Sequence, residues 1–229
     1  MNKEHKLTHI AIVTDGNRRW AVAQGLPKLV GHVEGAKNVK RIAKSAIAHD
    51  VSYLTIWGMS TENLKRSEEE VNKLFSLFGQ IVDYIDDLKQ DNVRLRLIGD
   101  LSRLPTETQE KLNHAVESSA RHTGMTLTFA LIYGGRDEIV RATKKILDAG
   151  LHADQITEET FAEHLDTAGM PEVDLVIRTG GHQRLSGYLP WQSVYAELYF
   201  TNTFWPAFDE KELDTAIEWF YEQQRNRGK

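Results

Sequence analysis

The residues of this 229-residue chain that could do chemistry gather at four places. Asp15-Gly16-Asn17-Arg18-Arg19-Trp20 follows the apolar run Ile10–Val13 almost without a gap. It offers a carboxylate, backbone amides that Asp-Gly-Asn turn chemistry can expose, and two guanidiniums, a mixture suited to a magnesium-bound phosphate. Ser60-Thr61-Glu62-Asn63 follows a second apolar run, with Arg66 just beyond. Tyr133-Gly134-Gly135-Arg136 follows another, and Arg178-Thr179-Gly180-Gly181 a fourth, with Arg184 and Ser186 close behind. Guanidinium matches phosphate oxygens in bidentate fashion, and a Gly-Gly pair ahead of a helix can present amides to an anion.

Each of these residues also has an ordinary explanation. A single Arg is more often a surface ion-pair partner, although Arg178, placed between a buried run and two glycines, favours a functional role. Asp15 has the position of a metal ligand. Glu70 is accounted for as the far half of a Ser67–Glu70 capping box. Glu197 sits among aromatics in Tyr195-Ala196-Glu197-Leu198-Tyr199-Phe200, so a metal, an Arg or a helix terminus is expected near it. His32, between Gly31 and Val33, is equally a phosphate donor and a satisfied structural imidazole. His9, His32 and His182 lack metal-ligand spacing. Walker A, Gly-x-Gly-x-x-Gly and Gly-x-Ser-x-Gly patterns are absent, so nucleotide cofactors and Ser-His-Asp catalysis are not indicated.

The elements that must position these residues alternate in type. Strands are expected at about 8–14, 53–58, 93–99, 125–132, 174–177 and 197–200. Between them, helical spacing predicts helices from Glu34 to about His49, from the Ser67 cap to about Gln90, from a Thr106–Gln109 capping box to Ser119, and from Arg136 to Ala149. A small helix is expected at Glu158–Leu165 and a last one from Asp209. This order predicts right-handed βαβ units: an α/β single domain over 1–229, with a mainly parallel central sheet of about six strands flanked by helices. All four polar stretches then lie on one edge of the sheet, where open α/β sheets bind ligands.

Composition narrows the classes. Hydrophobic residues make up 41%, enough for a core, and the net charge of -5 argues against a nucleic-acid binder. The chain has no cysteine, which excludes disulfides and thiol catalysis and suits a cytoplasmic setting. The polar start lacks an apolar signal core, and no apolar run approaches membrane-spanning length.

Across nearly its whole length the sequence resembles the cis-prenyltransferases, most closely undecaprenyl diphosphate synthase-like enzymes. The likeness rests on ordered motifs: His9 to Ala21, Gly31-His32-x-x-Gly35, Ser60-Thr-Glu-Asn63, Tyr133-Gly-Gly-Arg136, Asp174 to Gly181, Arg184-Leu-Ser186 and Trp191 through Trp205-Pro206. The resemblance implies repeated condensation of isopentenyl diphosphate with an allylic prenyl diphosphate. It implies a magnesium requirement, a homodimer, and a hydrophobic tunnel between sheet and helices. By position, Asp15 would handle magnesium and diphosphate, with Glu197 assisting at the metal. Gly16, Asn17, Arg18, Arg19, Lys28 and His32 would surround the allylic diphosphate, and Arg178, Arg184 and Ser186 the diphosphate of isopentenyl diphosphate. Asn63 and Arg66 would assist proton removal and positioning, while Trp20, Ser60, Thr61, Glu62 and Leu64 complete the expected substrate contacts. A lipid product implies peripheral membrane contact for a cytoplasmic enzyme. Leu64, Ile132 and His182 depart from the residues common in the family, and Arg225-Asn226-Arg227-Gly228 matches its ending only loosely.

Overall fold

Five residues of β1 (His9–Val13) are all buried, which a strand achieves only with both sheet faces covered. In this computed structural model, which describes residues 6–224, it lies near the middle of a six-stranded sheet. The other strands are β2 (Tyr53–Trp57), β3 (Arg94–Ile98), β4 (Thr126–Ala130), β5 (Leu175–Arg178) and β6 (Glu197–Phe200). Their order is β3-β4-β2-β1-β5-β6, and every neighbouring pair is parallel. The expectation of a mainly parallel sheet in one domain is met by one that is wholly parallel.

Period-two alternation assigns β1 to two cores. Ile10 and Ile12 join the core packed by α2 (Lys28–Ala48), α3 (Glu68–Tyr84), α4 (Thr106–Ser119) and α7 (Glu210–Glu222). Ala11 and Val13 face the opposite side, where Trp57, Tyr133, Tyr188 and Leu189 form a second cluster. There α5 (Gly135–Asp148) and the short α6 (Glu158–Ala162) flank the sheet.

Three elements differ from expectation for identifiable reasons. A seven-residue helix, α1 (Asn17–Ala23), follows directly on the Asp-Gly turn, where the sequence predicts no element; Gly16, at φ 108°, makes the sharp entry to it. Helix α2 begins at Lys28, straight after Pro27, rather than at Glu34. Gly31, ahead of the expected helix start, and Gly35, just inside it, are where α1 rests on α2. A Cβ on Gly31 would stand 1.9 Å from the Asn17 carbonyl oxygen, and one on Gly35 2.2 Å from Asn17 Oδ1. Helix α3 ends at Tyr84 and a 3₁₀ turn at Asp86–Lys89 takes Leu88 into the core.

The two capping boxes are corrected as well. Thr106 is the first helical residue of α4 and makes no side-chain cap; Gln109 Nε2 donates to the Leu104 carbonyl at 2.7 Å instead. At α3 the Ser67 hydroxyl does accept from the Glu70 amide, at 3.4 Å, but the Glu70 carboxylate turns elsewhere. Arg225–Gly228 lies outside the described residues.

Candidate active site

The sheet reverses its direction of growth at β1. β2 and β4 lie on one side of it and β5 and β6 on the other, so the gap beyond β1 and β5 is the switch point of the sheet. Asp15 and Arg178 meet there. Arg178 is buried, with Nη2 donating to Asp15 Oδ2 at 3.0 Å and Nη1 to Ser186 Oγ at 2.9 Å; Nη1 also donates to the Arg184 carbonyl. The other Asp15 oxygen accepts from Arg19 Nη2 at 3.0 Å. The backbone around Asp15 is pinned too. Its carbonyl accepts from the Thr179 hydroxyl at 2.7 Å and from the Trp205 amide at 3.0 Å.

Above this pair opens a cleft of about 760 Å³, the size of an ordinary small-molecule site. Expected residues in its wall are Asp15, Gly16, Asn17, Arg18, Arg19, Lys28, His32, Ser60, Asn63, Arg66, Arg178 and Ser186. Three loops therefore contribute directly. The fourth, Tyr133-Gly134-Gly135, acts one step back: Tyr133 bridges to Ser60, and Gly134 leaves room for Thr61, whose hydroxyl oxygen would lie 2.5 Å from a Cβ there. Arg136 is exposed at the start of α5 and outside the cleft wall.

Polar atoms in this wall are left ready for a ligand. Asn17 Oδ1, His32 Nε2 and Arg178 Nε are buried without a hydrogen-bond partner. Native structures keep few such atoms, and their concentration in one cleft points to a polar guest. Burial, followed by the charges of Arg66 and Arg18, holds the His32 imidazole down to about 4, so it is neutral at pH 7. Asn63 Oδ1 is already engaged, accepting from the Ser60 amide at 3.1 Å.

Other expected residues are placed differently. Trp20, Thr61, Glu62, Leu64 and Arg184 are not in the cleft wall; Leu64 packs against the core, and Arg184 meets Arg178 through its carbonyl. Glu197 begins β6, opposite Leu175 at the start of β5, so the length of a strand separates it from the Asp15 edge. Within one chain the two acids do not come together. Among the described residues no group of three metal-ligating side chains forms.

The structure also adds residues that sequence reasoning passed over. Val22, Ala23, Met59 and Leu74 supply apolar wall, and Phe204 lies under the Arg19 guanidinium, 5.1 Å from ring centre to the guanidinium carbon. The signal for Phe204 is its place beside Trp205-Pro206; Val22 and Ala23 carry none, because seven helical residues are too few to show a period. Glu70, set aside as a cap, pairs with Arg66 at 3.0 Å and Arg18 at 3.5 Å.

An acid held between guanidiniums at the switch point of a parallel sheet, beside unpartnered polar atoms and an apolar wall, defines an α/β enzyme for substrates with an anionic head and an apolar body. The chain belongs to the prenyltransferase family: the family model described as "Putative undecaprenyl diphosphate synthase" matches residues 13–228. It is 45% identical over 224 residues to an isoprenyl transferase of Clostridium perfringens, covering 96% of this chain and 88% of that one. It is 41% identical over 225 residues to a ditrans,polycis-undecaprenyl-diphosphate synthase of Vibrio vulnificus described as specific for (2E,6E)-farnesyl diphosphate, covering 96% and 90%. Among solved structures it is similar to lavandulyl diphosphate synthase from Lavandula x intermedia in complex with dimethylallyl diphosphate, with TM-score 0.94, 35% identity and coverage of 98% and 99%.

Proposed function

We propose that this prenyltransferase condenses isopentenyl diphosphate with farnesyl diphosphate and repeats the step to build a long polyprenyl diphosphate such as undecaprenyl diphosphate. The observation that carries the reading is the Arg19–Asp15–Arg178 chain of charges, flanked by the unpartnered His32 Nε2 and Arg178 Nε. Two anionic heads fit on either side of Asp15. Asn17, Arg18, Arg19, Lys28 and His32 hold the allylic diphosphate, with Arg66 reaching it from the facing loop, and Arg178 with Ser186 holds the diphosphate of isopentenyl diphosphate.

In the reaction a carbon–carbon bond forms between the terminal alkene carbon of isopentenyl diphosphate and the allylic carbon. The allylic carbon–oxygen bond breaks and diphosphate leaves with the electron pair, and a proton departs from C2 of isopentenyl diphosphate, whose C–H electrons form the new C2=C3 double bond. Donors fixed beforehand around the leaving diphosphate stabilise the charge as it develops. Two anchored heads set the alkene against the allylic carbon, which is a positioning effect. The proton passes to an oxygen of the departing diphosphate, and Asn63 and Arg66, on the facing loop, assist its removal and orient the alkene. Trp57, Met59 and Leu74 line the apolar side that keeps water from a cation-like centre.

The donor set suits magnesium. A single carboxylate beside diphosphate oxygens is the way this ion is commonly held, since it keeps waters and borrows phosphate ligands. Asp15 would hold it, and the ion would neutralise charge on the leaving group. Glu197 is assigned no part in that site within the same chain. A homodimer is supported by the exposed apolar strip of Val194, Tyr195 and Leu198 beside and on edge strand β6. Among the described residues no helix is long and apolar enough to cross a membrane, and we assign a cytoplasmic enzyme that meets the membrane only through its product.

A shorter product is the second reading. The cleft reaches α3 at Leu74, below which Phe75, Phe78 and Ile81 are packed into the core, and the lavandulyl diphosphate synthase is a close structural relative. Incubation of purified chain with labelled isopentenyl diphosphate, farnesyl diphosphate and magnesium separates the two. A ladder of long products supports the first reading and a short product the second. No elongation with any allylic primer overturns both.

A further inference from the structure

Glu70 is the third residue of α3, and its carboxylate leaves the helix end to face two arginines. One oxygen, Oε1, lies 3.0 Å from Arg66 Nη1 and 3.5 Å from Arg18 Nη1. Both arginines line the cleft, whereas Glu70 is not part of its wall. The same two guanidiniums act on the neighbouring His32, whose Nε2 has no partner. The corner therefore carries Arg18, Arg66 and, nearby, Lys28, against one carboxylate oxygen.

That balance is weak and lopsided. Each guanidinium has five donors; Glu70 accepts one hydrogen bond from Arg66 and meets Arg18 only as an ion pair at 3.5 Å. The side chains of Arg18, Arg66 and Glu70 are 40%, 27% and 28% exposed, and ion pairs of this openness hold loosely. A diphosphate brings more charge and enough oxygens for paired contacts with each arginine. It outcompetes a single shared oxygen.

We propose that Glu70 is an internal counter-anion of the allylic diphosphate subsite. It holds Arg18 and Arg66 in the empty enzyme, loses them to a diphosphate that binds, and takes them back when the diphosphate by-product leaves. The inference rests on the reading of the cleft as a diphosphate site. It gives α3 a stake in occupancy, because the residue displaced is in its first turn. It also gives the enzyme a means of release, since each addition frees a diphosphate that must depart before the next. A residue that merely positioned the two arginines would strengthen anion binding; a competitor weakens it. The sign of one affinity change distinguishes them.

Inorganic diphosphate, free of divalent metal, is titrated calorimetrically into the full chain and its Glu70→Gln and Ser67→Ala variants. Ser67→Ala removes the α3 cap and leaves the carboxylate, so it reports on loosening of the helix alone. Glu70→Gln is expected to bind diphosphate about tenfold more tightly, because a like charge has been removed from beside the ligand. Its kcat and its KM for the allylic substrate are expected to fall together. Glu70→Ala is read alongside, so that one variant's failure to fold does not end the test. Equal or weaker binding by a folded Glu70 variant overturns the inference, and so does equal tightening in Ser67→Ala. If the unaltered chain binds no diphosphate, the reading of the cleft itself fails instead.

Discussion

The Arg178 guanidinium is held on three sides before any substrate arrives, by Asp15, Ser186 and the Arg184 carbonyl. Only its Nε remains without a partner. Its fork is what matches a diphosphate, and lysine cannot reproduce it. Charged hydrogen bonds of this kind contribute about 1.5–3 kcal/mol each. Arg178→Lys is therefore expected to lower kcat/KM for isopentenyl diphosphate by about 10²-fold, with a cooperative melting transition retained; steady-state kinetics and a thermal melt check both parts. At this scale Asp15 and Arg178 are legible because turn chemistry after buried runs places side chains at a strand's end, whereas Ser186 is reached only through the resemblance. Glu197 misled for a related reason. Its part at the metal is implied by the resemblance alone, whereas the strand expected at 197–200 already sets Glu197 at the start of β6, the end away from Asp15. Glu70 was explained too early, because the spacing that suits a cap also suits a pair with Arg66 four residues back.

Helices α1 and α2 show what pattern reading loses at the level of elements. Strands were located within a residue or two, since buried β-branched runs end at turn residues. The α1–α2 corner was hidden because glycine has two meanings, loop conformation or close approach, and periodicity cannot separate them. Contact distances can. At Gly35 a methyl group would collide with Asn17 Oδ1 at 2.2 Å and Trp205 Cδ1 at 2.8 Å. At Gly79 on α3 the nearest atom is Lys111 Cδ at 3.9 Å. The same substitution is thus expected to have opposite signs. Gly35→Ala should destabilise by about 1–3 kcal/mol through overpacking and, by shifting Asn17, depress turnover. Gly79→Ala should stabilise by up to about 1 kcal/mol, from helix propensity alone. Urea melts of the two variants decide the matter, and matching signs would refute the account of α1 resting on α2.

Over the whole molecule, stability and activity are tied to two imidazoles kept neutral. His9, the buried first residue of β1, donates from Nδ1 to the Pro171 carbonyl at 3.0 Å and accepts at Nε2 from the Thr55 hydroxyl at 2.8 Å. Burial lowers its pKa to about 4, as it does for His32. In the unfolded chain each would take a proton near 6.5, so the unfolded state binds more protons between pH 6.5 and 4. The stabilisation is complete above 6.5 and is lost as pH falls through that window, on the order of 3 kcal/mol for His9. Glu138, whose carboxyl is raised first of all by burial, works in the opposite direction and returns part of the loss. The melting temperature is expected to drop from pH 7 to pH 5, and to drop less in His9→Gln; an unchanged slope in that variant would count against a neutral buried His9.

The sheet order places the switch point where Asp15 and Arg178 meet, and the other loops converge on that gap. The central claim is that Asp15 is the hub of a prenyl-transfer site and not a structural acid. Single-turnover elongation by Asp15→Ala, with folding checked by circular dichroism, tests it most directly. The account predicts a loss of turnover of about 10³-fold or more in a variant that remains folded. Near-normal elongation by folded Asp15→Ala would contradict it.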